Sequence, residues 1–414
     1  MRILLMTPHY HPVIAATSYL YQELCECLIK MGHQVTIITG FPRYNVSEAP
    51  GKYRRKLWMR ENINGVDVLR IRSVTLPRYV PIARGIEYFC VFITLFITAL
   101  LSKRPDAALV HPSVLFDGLS GIWLRPVKRV PFVVNVHDLF PQTAIDLGLL
   151  KSKTFIRIFR FLEVYLYKNA DWMTVHSEGN RDWVIAHGGH PERTTVMPVW
   201  MDSSVLKPGP RDNTWRTRQG LKDKFVILFA GTQGFNQDME VILRAAGKLR
   251  EYQDIEFVII GDGAQHEEMV ALSKEMALTN VRWLGWQPRE EYPLVQHTAD
   301  IVVVTLKKEV STPVVPSKIL SAMTTGRPII TTMPLSGDAP KLVQESKSGM
   351  TLPPGDSDQL KEAILELYYL RPLGEQYGAN GRRYVEDHLD VKRWAVAYID
   401  LFNMLIKERQ KQSS

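Results

Sequence analysis

Short apolar runs alternate along the chain with longer amphipathic segments, and this alternation predicts strands that alternate with helices. In the first half the predicted strands are residues 3–6, 34–39, 66–71, 107–110, 132–136, 172–175 and 195–197. In the second half they are residues 225–229, 256–260, 281–284, 301–305, 328–331 and 350–352. The pattern favours an α/β fold of two Rossmann-like, doubly wound domains that face each other across a cleft.

A stretch rich in turns and poor in strands, residues 198–224, separates the two halves and is the predicted linker. A chain of 414 residues is also longer than one core normally organises. We therefore expect an N-terminal domain over residues 1–200 and a C-terminal domain over residues 201–388. Residues 389–414 are expected to form a helix that packs back toward the N-terminal domain.

Glycine-rich loops follow the first strands of the second half. The residues that we expect to bind a ligand there are Gly231, Thr232, Gln233, Gly234 and Asn236 after the first strand, Gly261, Asp262 and Gly263 after the second, and Gly285 and Trp286 after the third. Backbone approaches a ligand closely at glycine, and the carboxyl ends of parallel strands share one edge of a sheet. Neither glycine run fits the dinucleotide-binding pattern G-x-G-x-x-G, which disfavours a dinucleotide site.

The fourth of these loops leads into Pro316-Ser317-Lys318-Ile319, which has the pattern of a helix start. Pro316 suits a first helical turn and Ser317 can cap the free amides. Those amides, the helix dipole and Lys318 together would hold a diphosphate. An ordinary capped helix that carries a surface lysine is the alternative interpretation.

Composition and charge narrow the class of protein. The chain is 45% hydrophobic and 23% charged, as globular proteins are, and its net charge is +8. A basic surface suits anionic lipid, an anionic substrate or nucleic acid, but no zinc-ligand spacing, RNA-recognition signature or recognition helix supports nucleic acid. Three cysteines cannot form a disulfide framework, and the apolar run at residues 3–6 is too short for a signal peptide. We expect a cytoplasmic protein.

Two apolar segments of the basic first half suggest a membrane surface. Residues 89–101 are apolar almost throughout but too short to span a bilayer, which predicts a helix that is either buried against its own sheet or interfacial. Residues 155–168 mix aromatic and basic residues, as a helix on an anionic membrane does. Its expected membrane-facing residues are Phe155, Arg157, Phe159 and Arg160, with ordinary core packing as the alternative.

Segments along nearly the whole chain resemble those of a known protein family. The chain resembles a GT-B glycosyltransferase of the family-4 retaining type, and is most similar to the fucosamine- and colanic-acid-type transferases of bacterial surface-polysaccharide synthesis. The resemblance is carried by Lys103-Arg104-Pro105-Asp106, His137-Asp138-Leu139-Phe140-Pro141, Met197-Pro198-Val199-Trp200-Met201-Asp202, Ala230-Gly231-Thr232-Gln233-Gly234, Gly261-Asp262-Gly263, and Pro316-Ser317-Lys318 with Gly326-Arg327-Pro328.

The resemblance implies a nucleotide-diphosphate sugar as donor, bound by the C-terminal domain, with a UDP-sugar favoured over a GDP-sugar. The implied acceptor is a polyprenyl-diphosphate-linked or other glycan of O-antigen or exopolysaccharide synthesis, bound by the N-terminal domain. It further implies transfer of a hexosyl or N-acetylhexosaminyl group with retention, without metal or cofactor, by an enzyme peripheral on the inner face of the cytoplasmic membrane.

The resemblance also assigns roles to single residues. His137 matches a histidine that contacts the donor sugar, and Asp138 would orient or deprotonate the acceptor hydroxyl; a strand-end histidine and a helix-capping aspartate are the structural alternatives. Lys318, with Arg327 as a second candidate, would neutralise the leaving diphosphate. Ala15, Ala16 and Thr17 stand at the loop that faces the acceptor or the cleft.

Several positions depart from the family pattern. Two glutamates near the diphosphate helix of many relatives correspond here to Pro313 and Ser321, and the second of these usually binds ribose. Glu309 and Glu345 are the candidates to replace that glutamate. The usual diglycine of the first loop is Ala15-Ala16. The departures at Ser321 and Ala15-Ala16 keep open one alternative, a non-catalytic sugar-nucleotide-binding subunit of an assembly complex. A sugar-nucleotide epimerase, which shares the GT-B fold, is the other alternative.

Overall fold

The structure is a computed structural model that describes residues 1–13, 15–42, 50–53, 55–72, 81–112, 115–310 and 312–413. Its strands are β1 Arg2–Met6, β2 Gln34–Gly40, β3 Trp58–Ile63, β4 Val66–Ile71, β5 Ala107–Val110, β6 Phe132–Val136, β7 Trp172–Val175, β8 Thr194–Val196, β9 Phe225–Ala230, β10 Ile255–Ile260, β11 Val281–Leu284, β12 Ile301–Thr305, β13 Ile329–Thr332 and β14 Gly349–Leu352.

The α-helices are α1 Ala16–Lys30, α2 Pro81–Leu101, α3 Leu115–Lys128, α4 Gln142–Asp146, α5 Lys153–Asn169, α6 Glu178–Ala186, α7 Thr214–Arg218, α8 Met239–Lys248, α9 His266–Glu275, α10 Tyr292–Thr298, α11 Ser317–Thr324, α12 Asp338–Ser346, α13 Ser357–Tyr369, α14 Arg371–Tyr384 and α15 Val391–Ser413. Shorter 3₁₀ or π segments occur at Pro50–Tyr53, Pro191–Arg193, Arg289–Glu291 and Val385–Leu389. Within these described segments, no helix is both long and apolar enough to cross a bilayer.

The chain forms two compact units. The first comprises Met1–Ile145, Leu150–Trp200 and Val391–Ser414, and the second comprises Asp146–Leu149 and Met201–Asp390. The last helix, α15, belongs to the first unit, where it packs on α1. The predicted linker is more ordered than its composition suggests, because Trp200 is fully buried in the first core and α7 forms within it.

The first unit is built on an eight-stranded sheet with the strand order β3-β4-β2-β1-β5-β6-β7-β8. Every strand is parallel to its neighbours except the edge strand β3, which pairs antiparallel with β4. All the strands predicted for this half are present, but β3 was not predicted. Its residues are alternately exposed and half-buried, so the strand has no apolar run.

The two faces of the first sheet carry separate helix layers. On one face, α1 and α15 cover side chains such as Leu5, Ile37 and Leu109. On the other face, α2, α3 and α5 cover side chains such as Met6 and Val134. The period-two alternation of each strand produces this division, since successive side chains point to opposite faces.

A buried polar network fastens the α1 and α15 layer to the sheet. Asn135 of β6 accepts a hydrogen bond from the Tyr21 hydroxyl at 2.7 Å, and its amide nitrogen donates to Thr174 of β7 and to the Tyr398 hydroxyl, both at 2.8 Å. The Trp200 ring packs edge-on against Tyr21 and Tyr398. Buried polar groups are tolerated only when they are paired, so this network fixes how the last helix sits on the sheet.

The second unit is built on a six-stranded, fully parallel sheet with the order β11-β10-β9-β12-β13-β14. Its strands β9, β10 and β12 are buried on both faces, as expected when helices cover a parallel sheet on both sides. Two α/β units with parallel sheets therefore confirm the predicted fold class. The crossover order puts the loops that follow β9, β10, β11 and β12 at one edge.

Replacement of the central asparagine tests the buried network. We expect Asn135→Ala to lower the free energy of unfolding by about 3 kcal/mol, because three buried partners lose their bonds and a cavity remains. Tyr398→Phe, which removes one hydroxyl, should cost about 1 kcal/mol. Urea unfolding, with hydrogen exchange of the β6 and β7 amides as a probe of the first unit, measures both. Equal losses in the two variants would contradict the central role of Asn135.

Candidate functional site

Two glycines bring the loops after β9 and β10 into backbone contact. Gly231 and Gly261 have φ angles of +143° and +122°, which residues that carry a Cβ atom rarely adopt. A Cβ atom on Gly261 would lie 2.2 Å from the carbonyl oxygen of Gly231. Nor is there room at Gly263, where a Cβ atom would lie 2.5 Å from the carbonyl oxygen of Gln233. The predicted glycine loops therefore form one packed surface at the carboxyl edge of the second sheet.

The Lys318 side chain lies over this surface. A Cβ atom on Gly231 would be 2.6 Å from Lys318 Cε, so only glycine leaves room for the lysine. Lys318 Nζ donates a hydrogen bond to Gln237 Oε1 at 3.2 Å and lies 4.8 Å from the centre of the Phe229 ring. Burial lowers the pKa of Lys318 from 10.5 to about 8.

No ion pair of Lys318 occurs among the described residues, and burial is the single cause of its pKa shift. Its neighbours are an amide oxygen and an aromatic face, which solvate an ammonium without neutralising it. A cation held in this way attracts an anionic group of a ligand. The role of Lys318 in binding a diphosphate stays a prediction, to which these surroundings are suited.

The start of α11 differs in detail from the prediction. Ser317, not Pro316, is the first helical residue, and Pro316 occupies the N-cap position. No side chain of a described residue caps this turn, and Ser317 is exposed. The prediction that Ser317 caps the helix is therefore wrong, because the serine sits one position too late for its hydroxyl to reach the following amides. The uncapped amides beside Lys318 leave a place where an anion can act as the cap.

Gln233 faces the protein rather than the solvent. It is fully buried, its Oε1 lies 2.9 Å from Nδ1 of His266 on α9, and its backbone N–H donates to the Asp262 carbonyl oxygen at 2.9 Å. Its Nε2 has no hydrogen-bond partner among the described residues. His266 was not predicted from the sequence. The available signal was a polar residue at the start of the helix that follows Gly263.

The other predicted residues of these loops differ in accessibility. Thr232, Asp262, Gly285 and Trp286 are exposed, whereas Gly234 and Asn236 are half-buried. No atom lies within 4 Å of the Cβ position of Gly285, so this loop is open.

Ser321, the expected substitute for a ribose-binding glutamate, is buried. Its hydroxyl is hydrogen-bonded to that of Tyr292, which also accepts a bond from Gln296 Nε2 at 3.0 Å. Tyr292 was missed because a tyrosine at the start of α10 has no distinctive spacing. The suggested stand-ins Glu309 and Glu345 are both exposed, the first in the loop after β12 and the second on α12.

Arg327 lies at the wrong end of the sheet to serve as a second diphosphate cation. It precedes β13, at the amino edge, whereas Lys318 follows β12 at the carboxyl edge. Its guanidinium is buried and donates to the carbonyl oxygen of Gly209. Burial lowers its pKa to about 10. The candidate role for Arg327 is therefore wrong, because it lies at the opposite edge of the sheet from the glycine loops.

In the first unit, three histidines end three neighbouring strands. His111, His137 and His176 directly follow β5, β6 and β7, each after a valine. The ring centres of His111 and His137 are 5.1 Å apart, and those of His137 and His176 are 5.5 Å apart. Sequence reasoning found His137 only. The repeated Val-His at the ends of adjacent predicted strands was the available signal for the other two.

Two of these histidines, His111 and His137, are held neutral by their surroundings. Burial, with the neighbouring imidazoles, lowers the pKa of His137 well below its ordinary value, and burial lowers that of His111 to about 4. His137 Nε2 is buried without a hydrogen-bond partner in the described part of the chain. Asp138 is exposed next to it, and the following helix α4 begins only at Gln142.

The loop before α1 contains the remaining predicted site residues. Ala15 is the N-cap of α1, with a φ of −148°, and makes no side-chain cap bond; Ala16 and Thr17 begin the helix.

Across the described residues of both units, no group of three or more His, Cys, Asp or Glu side chains has the arrangement of a metal site.

Helix α5 carries the four residues that were expected to face a membrane. Phe155 and Arg157 are exposed. Phe159 instead packs edge-on against Phe116 and Phe140, and Arg160 is paired with the buried Glu163 at 2.8 Å. These two side chains therefore point inward, because they lie on the helix face that meets α3 and α6.

Two α/β units built on largely parallel sheets, the second with glycine loops at its carboxyl edge, are consistent with a GT-B glycosyltransferase. Residues 17–200 match the family model of a glycosyl transferase 4-like domain, and residues 224–369 match that of glycosyl transferases group 1. The two matches lie in the first and second units. The chain belongs to the family-4 type of GT-B glycosyltransferases.

Two similar proteins are named as glycosyltransferases. A probable glycosyltransferase, WbjE of Pseudomonas aeruginosa, is 26% identical over 64% of this chain and 67% of the relative. A putative colanic acid biosynthesis glycosyl transferase, WcaI of Escherichia coli, is 23% identical over 79% and 82% of the two chains.

Solved structures share the fold along the whole chain. The sucrose-phosphate synthase of Thermosynechococcus elongatus has a TM-score of 0.77 at 18% identity, covering 98% of this chain and 99% of that one. HepE of Anabaena, crystallised with UDP and glucose, has a TM-score of 0.73 at 16% identity, covering 98% and 100%. The protein is therefore a glycosyltransferase with the GT-B fold.

The contact between Gly231 and Lys318 is testable by stability alone. We expect Gly231→Ala to lower the free energy of unfolding by about 2 kcal/mol, because the methyl group meets Lys318 Cε and the φ angle is unfavourable. In a Lys318→Ala background the cost should be smaller by about 1 kcal/mol, since the clashing atom is gone. Urea unfolding of the four proteins measures this coupling. Gly51→Ala is the control, because no neighbouring atom lies within 4 Å of the Cβ position of Gly51.

Acid should weaken the first unit through its histidines. The unfolded chain takes up protons near pH 6.5, but folded His111 resists them until about pH 4, so the free energy of unfolding falls as the pH drops between these values. His111 alone contributes about 3 kcal/mol to this fall. We expect His111→Gln to flatten the slope measured by urea unfolding across this range. His190→Gln, at an exposed histidine, should keep it; equal slopes in all three proteins would contradict the prediction.

Proposed function

We propose that the protein is a retaining glycosyltransferase of surface-polysaccharide synthesis. It moves a hexosyl or N-acetylhexosaminyl group from a nucleotide-diphosphate sugar to a polyprenyl-diphosphate-linked or other glycan acceptor. The second unit binds the donor, the first unit binds the acceptor, and the protein works peripherally at the inner face of the cytoplasmic membrane. The observation that carries the proposal is Lys318, an ammonium group without an ion-pair partner among the described residues, held over Gly231 beside an uncapped helix start.

The chemistry follows from the charge that develops on the leaving group. In the reaction the bond between the anomeric carbon and the diphosphate oxygen breaks, and its electron pair leaves with the diphosphate. Lys318 and the free amides at the start of α11 stabilise that negative charge, and they are already in place before the reaction. We propose that they supply the positive charge without a metal or cofactor.

The acceptor hydroxyl then attacks the same face of the sugar that the diphosphate leaves, which retains the anomeric configuration. Its proton passes to the departing phosphate oxygen within the ion pair, so no separate nucleophile of the protein is needed. His137 serves as a neutral hydrogen-bonding group for the donor sugar, in agreement with the lowered pKa of its imidazole. Asp138, which is exposed beside it, orients the acceptor hydroxyl.

The relatives support the type of product and of donor. Besides the colanic acid transferase, they include an O-antigen chain mannosyltransferase C of Escherichia coli, 24% identical over 73% of this chain. HepE was crystallised with UDP and with UDP-glucose, which favours a UDP-sugar as the donor. A surface-polysaccharide acceptor linked to a lipid agrees with the basic first half of the chain.

Substitution of Lys318 tests the donor site. We expect Lys318→Gln to lower turnover by about 100-fold or more, because charge stabilisation of the leaving group is lost. It should also weaken UDP or GDP binding measured by calorimetry. In the unsubstituted protein that affinity should fall as the pH rises through about 8, where free Lys318 loses its proton, and the variant should lack this dependence.

An exposed lysine of the same unit provides the control. Lys222→Gln, before β9 at the amino edge, should leave nucleotide affinity and turnover unchanged. If Lys318→Gln binds and turns over substrate like the unsubstituted protein, the diphosphate assignment is wrong. If a nucleotide binds tightly but no sugar is transferred to any lipid-linked acceptor, the non-catalytic subunit becomes the better interpretation.

A further inference from the structure

We propose that the outer face of α2, α3 and α5 in the first unit is the surface that binds an anionic lipid membrane. The inference adds a face and a lipid class to the proposed function, and rests on it only in that the acceptor is lipid-linked. All three helices of the first unit carry exposed apolar side chains, they pack together as one layer, and the exposed charges of that layer are basic.

Helix α5 has an exposed apolar ridge along its length. Phe155, Ile158, Phe161 and Tyr165 follow one another at intervals of three or four residues and are all exposed, Phe161 by 67%. The rings of Phe161 and Tyr165 are stacked with centres 6.4 Å apart. The opposite side of α5 is buried through Leu166 and its neighbours. A helix that is buried on one side and still apolar on the other has a second apolar contact to make.

Helices α2 and α3 form a second exposed apolar area. Trp123 of α3 is 47% exposed, and its ring packs edge-on against Phe92 and Phe96 of α2, with centres 5.0 and 5.7 Å apart. Leu101, at the end of α2, is 83% exposed. Tryptophan that is packed on aromatic rings and open on one side is frequent at membrane interfaces.

The three helices form one layer, with α3 packed against both of the others. A Cβ atom on Gly118 of α3 would lie 2.6 Å from Leu166 of α5, so these helices touch closely. At the end of the layer, Lys128 Nζ donates to the Ser102 carbonyl oxygen after α2 at 2.8 Å. All three helices bury their inner sides in the same core. Their exposed residues therefore point away from the sheet on the same side of the unit.

The charges of this layer have one sign at the surface. Its acidic residues among the described side chains, Asp117 and Glu163, are both buried, and Glu163 is paired with Arg160. The exposed basic residues on the helices are Lys153, Arg157 and Lys168, and those just beyond the helix ends are Lys103, Arg104, Arg129 and Lys151. The flanking acidic residues Asp106 and Asp171 are half-buried and are paired with Arg2 and Arg125. A surface that combines apolar side chains with positive charge complements anionic lipid headgroups over an acyl interior. It does not suit a second copy of the chain, because two such faces repel each other.

Vesicle binding by the purified full-length chain tests the proposal without any substrate. The vesicles are phosphatidylcholine alone or a mixture with phosphatidylglycerol, and co-sedimentation is measured at low and high salt. Lys153→Gln with Arg157→Gln removes charge from α5, and Leu101→Ser with Phe161→Ser removes exposed apolar contact from α2 and α5. The matched controls lie in the α1 and α15 layer on the other face of the sheet. They are Lys30→Gln, at an exposed lysine, and Val396→Ser, at a valine that is 47% exposed.

We expect binding to the mixed vesicles, weak binding to phosphatidylcholine, and release by salt. Each pair of substitutions should lower the partition coefficient by about tenfold or more, and neither control should change it. No binding to anionic vesicles, or equal losses in the controls, would overturn the proposal. So would a dimer in light scattering that the apolar pair of substitutions dissociates, since a second copy would then cover the face.

The same variants separate this proposal from the proposed function. Nucleotide binding, and transfer to an acceptor dissolved in detergent, should be unchanged in both doubly substituted proteins. Vesicle binding that fails while transfer in detergent persists would reject only the membrane face. Vesicle binding that persists in a protein without transfer would reject only the transferase.

Discussion

Parallel strand pairing is the constraint on which both units depend. Because parallel strands all end at one edge of a sheet, residues far apart in sequence meet there without further design. In the second unit this edge brings Gly231, Gly261 and Lys318 together. In the first unit it lines up His111 and His137 with the histidine that follows β7. The chemistry of the chain is therefore concentrated in loops, while the strands provide the rigid support.

The same rule separates cations that look equivalent in sequence. Lys318 and Arg327 stand close together in the chain, and burial lowers the pKa of both. Arg327 lies at the amino edge and is bonded to the carbonyl oxygen of Gly209, so it stabilises the protein's own backbone. Lys318 lies at the carboxyl edge with a glycine beneath it and no described ion-pair partner. A buried charge without a partner is costly, and a ligand of opposite charge offsets that cost.

The two helix layers of the first unit are held to the sheet by different interactions. The α1 and α15 layer is joined to the sheet by the polar network around Asn135, in which each hydrogen-bonding group has a partner. The α2, α3 and α5 layer is joined by apolar packing and remains apolar on its outer side, as Phe161 and Trp123 show. Polar pairing fixes position, whereas an open apolar surface with basic residues around it is available for a further contact.

The sequence by itself determined the α/β class, nearly every strand and the glycine loops, and it singled out Lys318 as a candidate, because apolar runs and glycine reflect local backbone and burial requirements. It missed β3, an edge strand without an apolar run, and it misplaced the cap at Ser317 by one position. Only the tertiary structure decided that Arg327 lies away from the expected diphosphate site and that Phe159 packs inside the protein instead of facing a membrane. Which side of a helix meets the protein, and which edge of a sheet holds a residue, depend on contacts between distant segments that no local pattern contains.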